Sequence, residues 1–403
     1  MLDFGIVKPE KFTFGENVVL VNRFTGKKII TSRKSIKSIK QRELNLLKRA
    51  VVRIEAPSIK KFRLEITLKC NCNCDYCLVY KNKIPQIGSS MSLETAKKIV
   101  SRFNTEIPGG SCMIIGGEPL TNSDVLRYFV EQINGNISIF TNATLIDREI
   151  AKFLSKPNVK VFVSFDGWKD LNFHRKYDEY RPSFEDSLAG YKNLIEEKVR
   201  TAVNCLVTND NVDYLVEIVK YFYENFNERS FGLSMPHYIK QNSFKVDIKK
   251  YTRNMITLFD YIKKRGIYVD QIAKILMVVI SENFRYYACK LAGEQITFYP
   301  DGSETLCTKL DTLSKFKKKN SNYFRRRLPL HNADCRKCFS LFVCGGGCFW
   351  DANFDESGKD RRNCFFHKEM LKKILEDISL NFPKNILLDK EKLEEKYGSL
   401  LKK

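Results

Sequence analysis

The chain has 403 residues, enough to bury a substantial core and more than one average domain would need. With 43% hydrophobic and 29% charged residues, no run of about 18 apolar residues, and the polar opening MLDFGIVKPEKF, it is composed neither like a disordered chain nor like a membrane or exported one, so a cytoplasmic protein with no membrane partner is expected. A formal net charge of +22 favours a polyanionic partner, nucleic acid or an acidic peptide, as much as it fits a lysine-rich proteome, and thirteen cysteines without an export signal read as reduced, metal-binding thiols.

Residues 1–60 read as a small preface, in which VVLVN and KKIITS flank the turn-forming RFTG and a helix is predicted around QRELNLLKRAV. Between residues 61 and 240 the strand-like runs FRLEITL, CMIIGG, ISIFTN, VKVFVSF, TAVNCLVT and SFGLSMP alternate with helical stretches, the rhythm of an α/β chain with a parallel sheet. Residues 241–285 are expected as a helical connector, 286–370 as a cysteine-rich domain, and 371–403 as a tail of helices broken at Phe382-Pro383.

The loop after the first strand, ITLKCNCNCDYCLVY, spaces Cys70, Cys74 and Cys77 as C-x3-C-x2-C. Three thiolates from one tight loop leave a cubane iron-sulfur cluster one ligand short, and an open iron binds an exchangeable group instead of only passing electrons. A zinc knuckle or a disulfide is the bland alternative, but zinc favours paired C-x2-C ligands and fills all four positions with protein groups. Cys72 sits only two residues from both Cys70 and Cys74 and is read as a bystander. Further along, Gly116-Gly117-Glu118-Pro119 ends the second strand, Thr141-Asn142 the third and Ser164-Phe165-Asp166-Gly167 the fourth, all at the same ends of parallel strands. Glycines at such an end permit close backbone approach to a ligand.

With these motifs in this order, the chain resembles the radical S-adenosylmethionine (SAM) enzymes. The resemblance implies a partial (β/α)6 TIM-like barrel whose site lies at the carboxyl ends of the strands. It implies a 4Fe-4S cluster on Cys70, Cys74 and Cys77 whose open iron chelates the amino and carboxylate groups of SAM. One electron then cleaves SAM to a 5'-deoxyadenosyl radical that abstracts a substrate hydrogen. By the same resemblance Tyr76 lies near the adenine, Gly116, Gly117 and Glu118 belong to the segment that binds the SAM amino group, and Asn142 is counted with the cofactor-binding residues. Ser164 matches a strand-end serine that contacts the SAM carboxylate, Arg175 or Arg181 is the cation for that carboxylate, and Leu206 borders the adenine. Either arginine also fits a solvated surface charge, and Leu206 fits a core residue.

A second constellation follows: Cys289, then Gly302 and Cys307, then Cys335-x2-Cys338-x5-Cys344-x3-Cys348, and finally Cys364. This is similar to the seven-cysteine pattern of the SPASM domain, which implies two auxiliary 4Fe-4S clusters and three clusters in all. The resemblance gives Cys335, Cys338, Cys344 and Cys364 to an outer cluster, and Cys289, Cys307 and Cys348 to an inner one that is a ligand short. Where sulfatase-maturing relatives have an additional cysteine, Asn283 stands here. An open inner iron could coordinate a substrate thiolate and lead to a thioether; an oxygen or nitrogen ligand, or water, would close it equally well. Those relatives also carry an aspartate base after the second SPASM cysteine, where this chain has Thr308. His237 and Tyr238 follow the sixth strand as candidates for substrate contact or proton exchange, and Trp350 as a shield over a cluster.

The expected activity is therefore that of a radical SAM peptide maturase that installs a crosslink in a ribosomally made precursor peptide, first of all a cysteine thioether. A carbon–carbon or carbon–oxygen crosslink, sulfatase maturation, and a non-catalytic iron-sulfur protein that binds nucleic acid are the alternatives. The implied partners are the precursor with an acidic leader, a flavodoxin- or ferredoxin-type low-potential electron donor, and a separate leader-recognition protein. Residues 1–60 are shorter than a complete leader-binding domain and read as a remnant or edge piece of one.

Overall fold

The six runs expected as strands all form, and all lie parallel: β1 (Lys61–Thr67), β2 (Ser111–Gly116), β3 (Asn136–Thr141), β4 (Val159–Ser164), β5 (Thr201–Leu206) and β6 (Ser230–Ser234). The computed structural model describes residues 2–52, 57–78, 89–238, 244–313, 316, 319–382 and 386–402. In sheet order β6-β5-β4-β3-β2-β1, each strand neighbours its sequence neighbour, and β7 (Gln295–Phe298) extends the sheet beyond β1, with β8 (Glu304–Thr305) antiparallel to it.

Crossover helices cover the sheet because their apolar residues fall on one stripe. In Leu93–Glu106, started by Ser92 accepting from the Thr95 N–H at 3.1 Å, the stripe is Ala96, Ile99, Val100 and Phe103. Phe103 meets Phe62 edge-on at 5.4 Å, so Phe62, Leu64 and Ile66 point toward the helix layer, and strand alternation turns Arg63, Glu65 and Thr67 to the other face. Parallel pairing brings the carboxyl ends of β1 to β6 to one rim, where the motif residues sit.

The chain divides into two compact units: residues 57–246 with 290–322, and residues 1–56 with 247–289 and 323–403. These cut across the five segments expected from sequence. The stretch 290–322, expected within a 286–370 domain, belongs with the parallel sheet because Gln295–Phe298 pairs residue for residue with Lys61–Leu64. Residues 1–56, expected as a separate preface, share a unit with the carboxyl-terminal helices.

In that second unit the expected hairpin forms as strands Asn17–Val21 and Lys28–Ser32, its turn closed by Asn22 Oδ1 accepting from the N–H groups of Phe24 and Thr25, with Gly26 at φ +71°. The expected helix is Gln41–Lys48. The tail forms helices Arg361–Asn381 and Lys390–Tyr397, and between them the strand Ile386–Leu387 pairs with Lys28–Ser32; Pro383 lies outside the described residues. Lys28 is fully buried and donates to the Val279 carbonyl at 2.7 Å, near the carboxyl end of helix Asp270–Ser281, with Glu282 at 3.4 Å. Burial pushes its ammonium pKa down against the pull of Glu282. No helix among the described residues is long and apolar enough to cross a membrane.

Candidate active site and cysteine pocket

The cysteine loop is held from outside itself. Its Asn73 N–H donates to the Lys176 carbonyl at 2.7 Å and its Asp75 N–H to the His174 carbonyl at 3.1 Å, tying it to the segment after β4. Side chains repeat the connection. Lys176 Nζ is 2.9 Å from Asp75 Oδ1, and His174 stands between two acids, Nδ1 3.0 Å from Asp75 Oδ2 and Nε2 3.0 Å from Asp210 Oδ2. On the opposite flank the Asn142 amide donates to Asn71 Oδ1 at 2.9 Å and to Cys72 Sγ at 3.3 Å. Cys72 is thus buried against Asn142.

Cys70, Cys74 and Cys77 share one electrostatic neighbourhood. Burial pushes the Cys74 thiol up to about 11, and Cys77 and Cys70 add to this against the opposing Arg175 cation. A hydrogen bond with Cys72, then burial, pushes Cys70 up. A metal centre takes such thiols as thiolates, so a cationic centre bound here would displace their protons.

Beneath the loop lies a buried node at Asp166. Its carboxylate accepts from the Tyr76 hydroxyl, from the Leu206 N–H at 3.1 Å and from Arg175, whose guanidinium is 3.1 Å away and 5.4 Å from the Tyr76 ring centre. Burial opposes the charge of Arg175, but Asp166 together with Tyr76 and Cys74 raises its pKa. The Arg175 Nε is buried without a partner. Of the two arginines named from sequence, Arg175 therefore stands at the strand ends, while Arg181 is 68% exposed and paired with Asp186 at 3.6 Å. Ser164, half-buried, ends β4 opposite Asn204.

The glycine motif packs by backbone. A Cβ on Gly116 would stand 2.1 Å from the Thr67 carbonyl, and one on Gly117 2.1 Å from that of Lys69, so only glycine fits beside the start of the cysteine loop. Glu118 turns inward and is 1% exposed. It accepts from the Thr141 hydroxyl and the Asn142 N–H, both at 2.7 Å, and from the Leu120 N–H at 3.2 Å. Burial pushes its pKa up to about 7. The side chain stitches β2 to β3, which leaves ligand contact to the backbone of this motif.

Sequence reasoning passed over Glu65, the only acid in the six described parallel strands. It is 3% exposed, pairs with Arg63 at 3.1 Å, and accepts from the Thr308 hydroxyl at 3.1 Å, while its Oε2 and the Arg63 Nε are buried without partners. An acid in a strand otherwise free of acids was the available signal. His237 Nε2 lies 2.6 Å from Lys309 Nζ.

In the other unit, Cys335, Cys338, Cys344 and Cys364 line one cavity, although they are spread over 30 residues. Cys344 and Cys364 share a hydrogen bond that lowers Cys364 to about 7 and raises Cys344. Donors reach the sulfurs as well. The Asn363 amide is 3.5 Å from Cys344 Sγ, the Gly346 N–H also bonds to that sulfur, and the Ser340 hydroxyl is 3.2 Å from Cys338 Sγ. Four thiols with hydrogen-bond donors fit the donor set of a cubane cluster. Cys289 and Cys348 fall in this unit and Cys307 in the other. Trp350 is buried, edge-on to Phe354 at 5.1 Å, and Asn283 is exposed. Cys112 and Cys205 are buried on strands, where burial pushes Cys112 up to about 12 and Cys205 up as well.

The family model described as the Radical SAM superfamily matches residues 64–222. Radical SAM cyclopropyl synthase TigE of Paramaledivibacter caminithermalis is 25% identical over 89% of this chain and 82% of its own. An uncharacterized protein of Methanocaldococcus jannaschii is 30% identical over 54% of this chain and 76% of its own, and a cysteine-type anaerobic sulfatase-maturating enzyme of Clostridium perfringens 25% identical over 69% and 85%. Among solved structures, anSMEcpe with bound AdoMet and Cp18Cys peptide superposes with a TM-score of 0.64 at 21% identity, over 81% of this chain and 99% of that one.

Proposed function

The chain belongs to the radical SAM superfamily, an enzyme whose family chemistry uses a 4Fe-4S cluster and SAM, and from that membership we propose that it modifies a peptide by radical bond formation. The observation that carries this reading is the loop of Cys70, Cys74 and Cys77, anchored on Lys176, His174 and Asn142 at the rim of the parallel sheet. A cluster on these thiolates, with SAM on its open iron, supplies a 5'-deoxyadenosyl radical when reduced. The protein's own residues do the rest. Arg175 offers a buried, unpartnered Nε toward an anionic group such as a carboxylate, with Ser164 nearby at the end of β4 and the Gly116–Gly117 backbone at the end of β2. The peptide substrate rests on what the relatives' names and the bound peptide of the structural neighbour describe for those proteins.

Joining two substrate atoms with net loss of two hydrogens sends one hydrogen atom to the radical, one electron to an acceptor and one proton to a base. Glu65 is placed for that proton: a buried carboxylate with one oxygen unpartnered, the other held by Arg63 and Thr308. The two auxiliary clusters are part of this proposal as electron acceptors. The four-cysteine cavity supports the outer one.

Two bond types follow. The thioether rests on an inner cluster one cysteine short, whereas a carbon–carbon closure is favoured by TigE, a cyclopropyl synthase aligned over most of both chains. Sulfatase maturation is disfavoured by Thr308 where an aspartate base is needed. Anaerobically reconstituted protein holding about 12 iron, given SAM and a low-potential reductant, is expected to release 5'-deoxyadenosine, and Cys74→Ser to release none. Absence of release from the unmutated protein sinks the radical reading. Co-expression with the short reading frames encoded beside it should yield a peptide two hydrogens lighter. A cysteine that no longer alkylates selects the thioether; one that still does selects carbon–carbon closure.

A further inference from the structure

Arg285 presents a cation that the protein does not neutralise. Its guanidinium is partly buried, donates to the Val343 carbonyl at 3.4 Å and stands 3.4 Å from His367 Nε2, yet no carboxylate lies within 4.0 Å of it among the described residues. The acid that acts on it from further off, Asp270, is already paired with Lys274. Burial pushes the Arg285 pKa down, and burial followed by repulsion from Arg285 holds His367 down to about 3, so the histidine beside it is neutral. A desolvated guanidinium without a counter-ion is costly. The carbonyl that the guanidinium reaches belongs to Val343, the residue before Cys344, and the Arg285 backbone N–H fixes this segment by donating to the Phe342 carbonyl at 2.8 Å.

Cys344 is a wall of the four-cysteine cavity. The charged side chains lining that cavity, Arg327, Lys359 and Lys368, are all cations. The Asn363 amide reaches Cys344 Sγ from helix Arg361–Asn381, the helix that also carries His367. Four thiolates around a cubane core leave a net negative charge that grows by one on reduction, so a nearby cation and hydrogen bonds to sulfur stabilise the reduced state more than the oxidised one.

We propose that Arg285, with the Asn363 amide, is the built-in counter-ion of the outer auxiliary site and raises its reduction potential, making that site an acceptor for the electron released in bond formation. This rests on the auxiliary-cluster reading above. Neither residue holds the metal; both act through Cys344.

The test is an anaerobic potentiometric titration, followed by electron paramagnetic resonance, of the reconstituted full chain in which Cys70, Cys74 and Cys77 are replaced by alanine to silence the SAM site. At a fixed potential, Arg285→Met is expected to lower the ratio of reduced to oxidised outer cluster about tenfold, which is about 59 mV for a one-electron couple. Arg285→Lys should restore most of it. Asn363→Ala should shift the ratio the same way by less. An Arg285→Met protein with full iron and an unchanged midpoint overturns the proposal, as does a variant pair in which both Met and Lys lose the cluster, which would make Arg285 a packing residue. A parent protein whose Cys335, Cys338, Cys344 and Cys364 take up zinc and no sulfide overturns the auxiliary-cluster reading itself.

Discussion

Asp166 is 2% exposed and holds Tyr76, Leu206 and Arg175 with one carboxylate. Asp166→Asn leaves a buried guanidinium uncompensated, and breaking such a pair costs about 3–5 kcal/mol; chemical denaturation of the apoprotein should show a loss of that size. Glu118 gives a pH prediction. Its folded pKa of about 7 lies above the ordinary value of 4.5, so the folded state binds the proton more tightly than the unfolded one. Its contribution to stability is present below about 4.5 and declines as pH rises toward 7. Glu118→Gln, neutral throughout, should flatten that part of a thermal-midpoint profile measured between pH 4.5 and pH 7. A slope as steep as in the parent would show that the proton is bound elsewhere. Of these residues, Tyr76, Glu118, Arg175 and Leu206 were marked by sequence as cofactor contacts. The structure makes Arg175 partly a structural cation and turns the Glu118 side chain wholly inward.

At the scale of elements, the site depends on close backbone approach between the β2 rim and the cysteine loop. The N–H groups of Gly117 and Glu118 donate to the Thr67 and Lys69 carbonyls, both at 2.8 Å. Gly117→Ala would drive a methyl into Lys69 O, so it should displace the loop and cost about 4 of about 12 iron atoms on reconstitution. Iron and sulfide assays check this, and full iron with normal 5'-deoxyadenosine release would refute it. The strands and the glycine motif were legible because period-2 apolar runs and Gly-Gly pairs are local signals. The brace of Asp75, His174, Lys176 and Asp210 was not, because it joins residues 36 or about 100 positions apart and none of them forms a local pattern. The strand Ile386–Leu387 was hidden for a related reason: two residues show no periodicity, and only pairing with Lys28–Ser32 defines it.

At the scale of the molecule, both ends of the chain build one unit. The tail supplies the strand beside Lys28–Ser32 and buries Leu393, Tyr397 and Leu400, with the Tyr397 hydroxyl 2.7 Å from Asp377. Truncation after Asn381 should therefore lower the thermal midpoint while leaving iron binding at Cys70, Cys74 and Cys77 intact, since that loop belongs to the other unit. Loss of that iron on truncation would contradict the division.

Sequence alone determined the superfamily, the six parallel strands and the spacing that groups the cysteines, because ligand spacing and strand period are written in consecutive residues. Only the tertiary structure decided which charges are compensated. It gathered Cys335, Cys338, Cys344 and Cys364 around one cavity, set Arg285 beside the Val343 carbonyl with no carboxylate partner among the described residues, and left Glu65 and Arg175 each with a buried atom unpartnered. Burial and pairing are properties of contacts between distant segments, and spacing along the chain does not encode them.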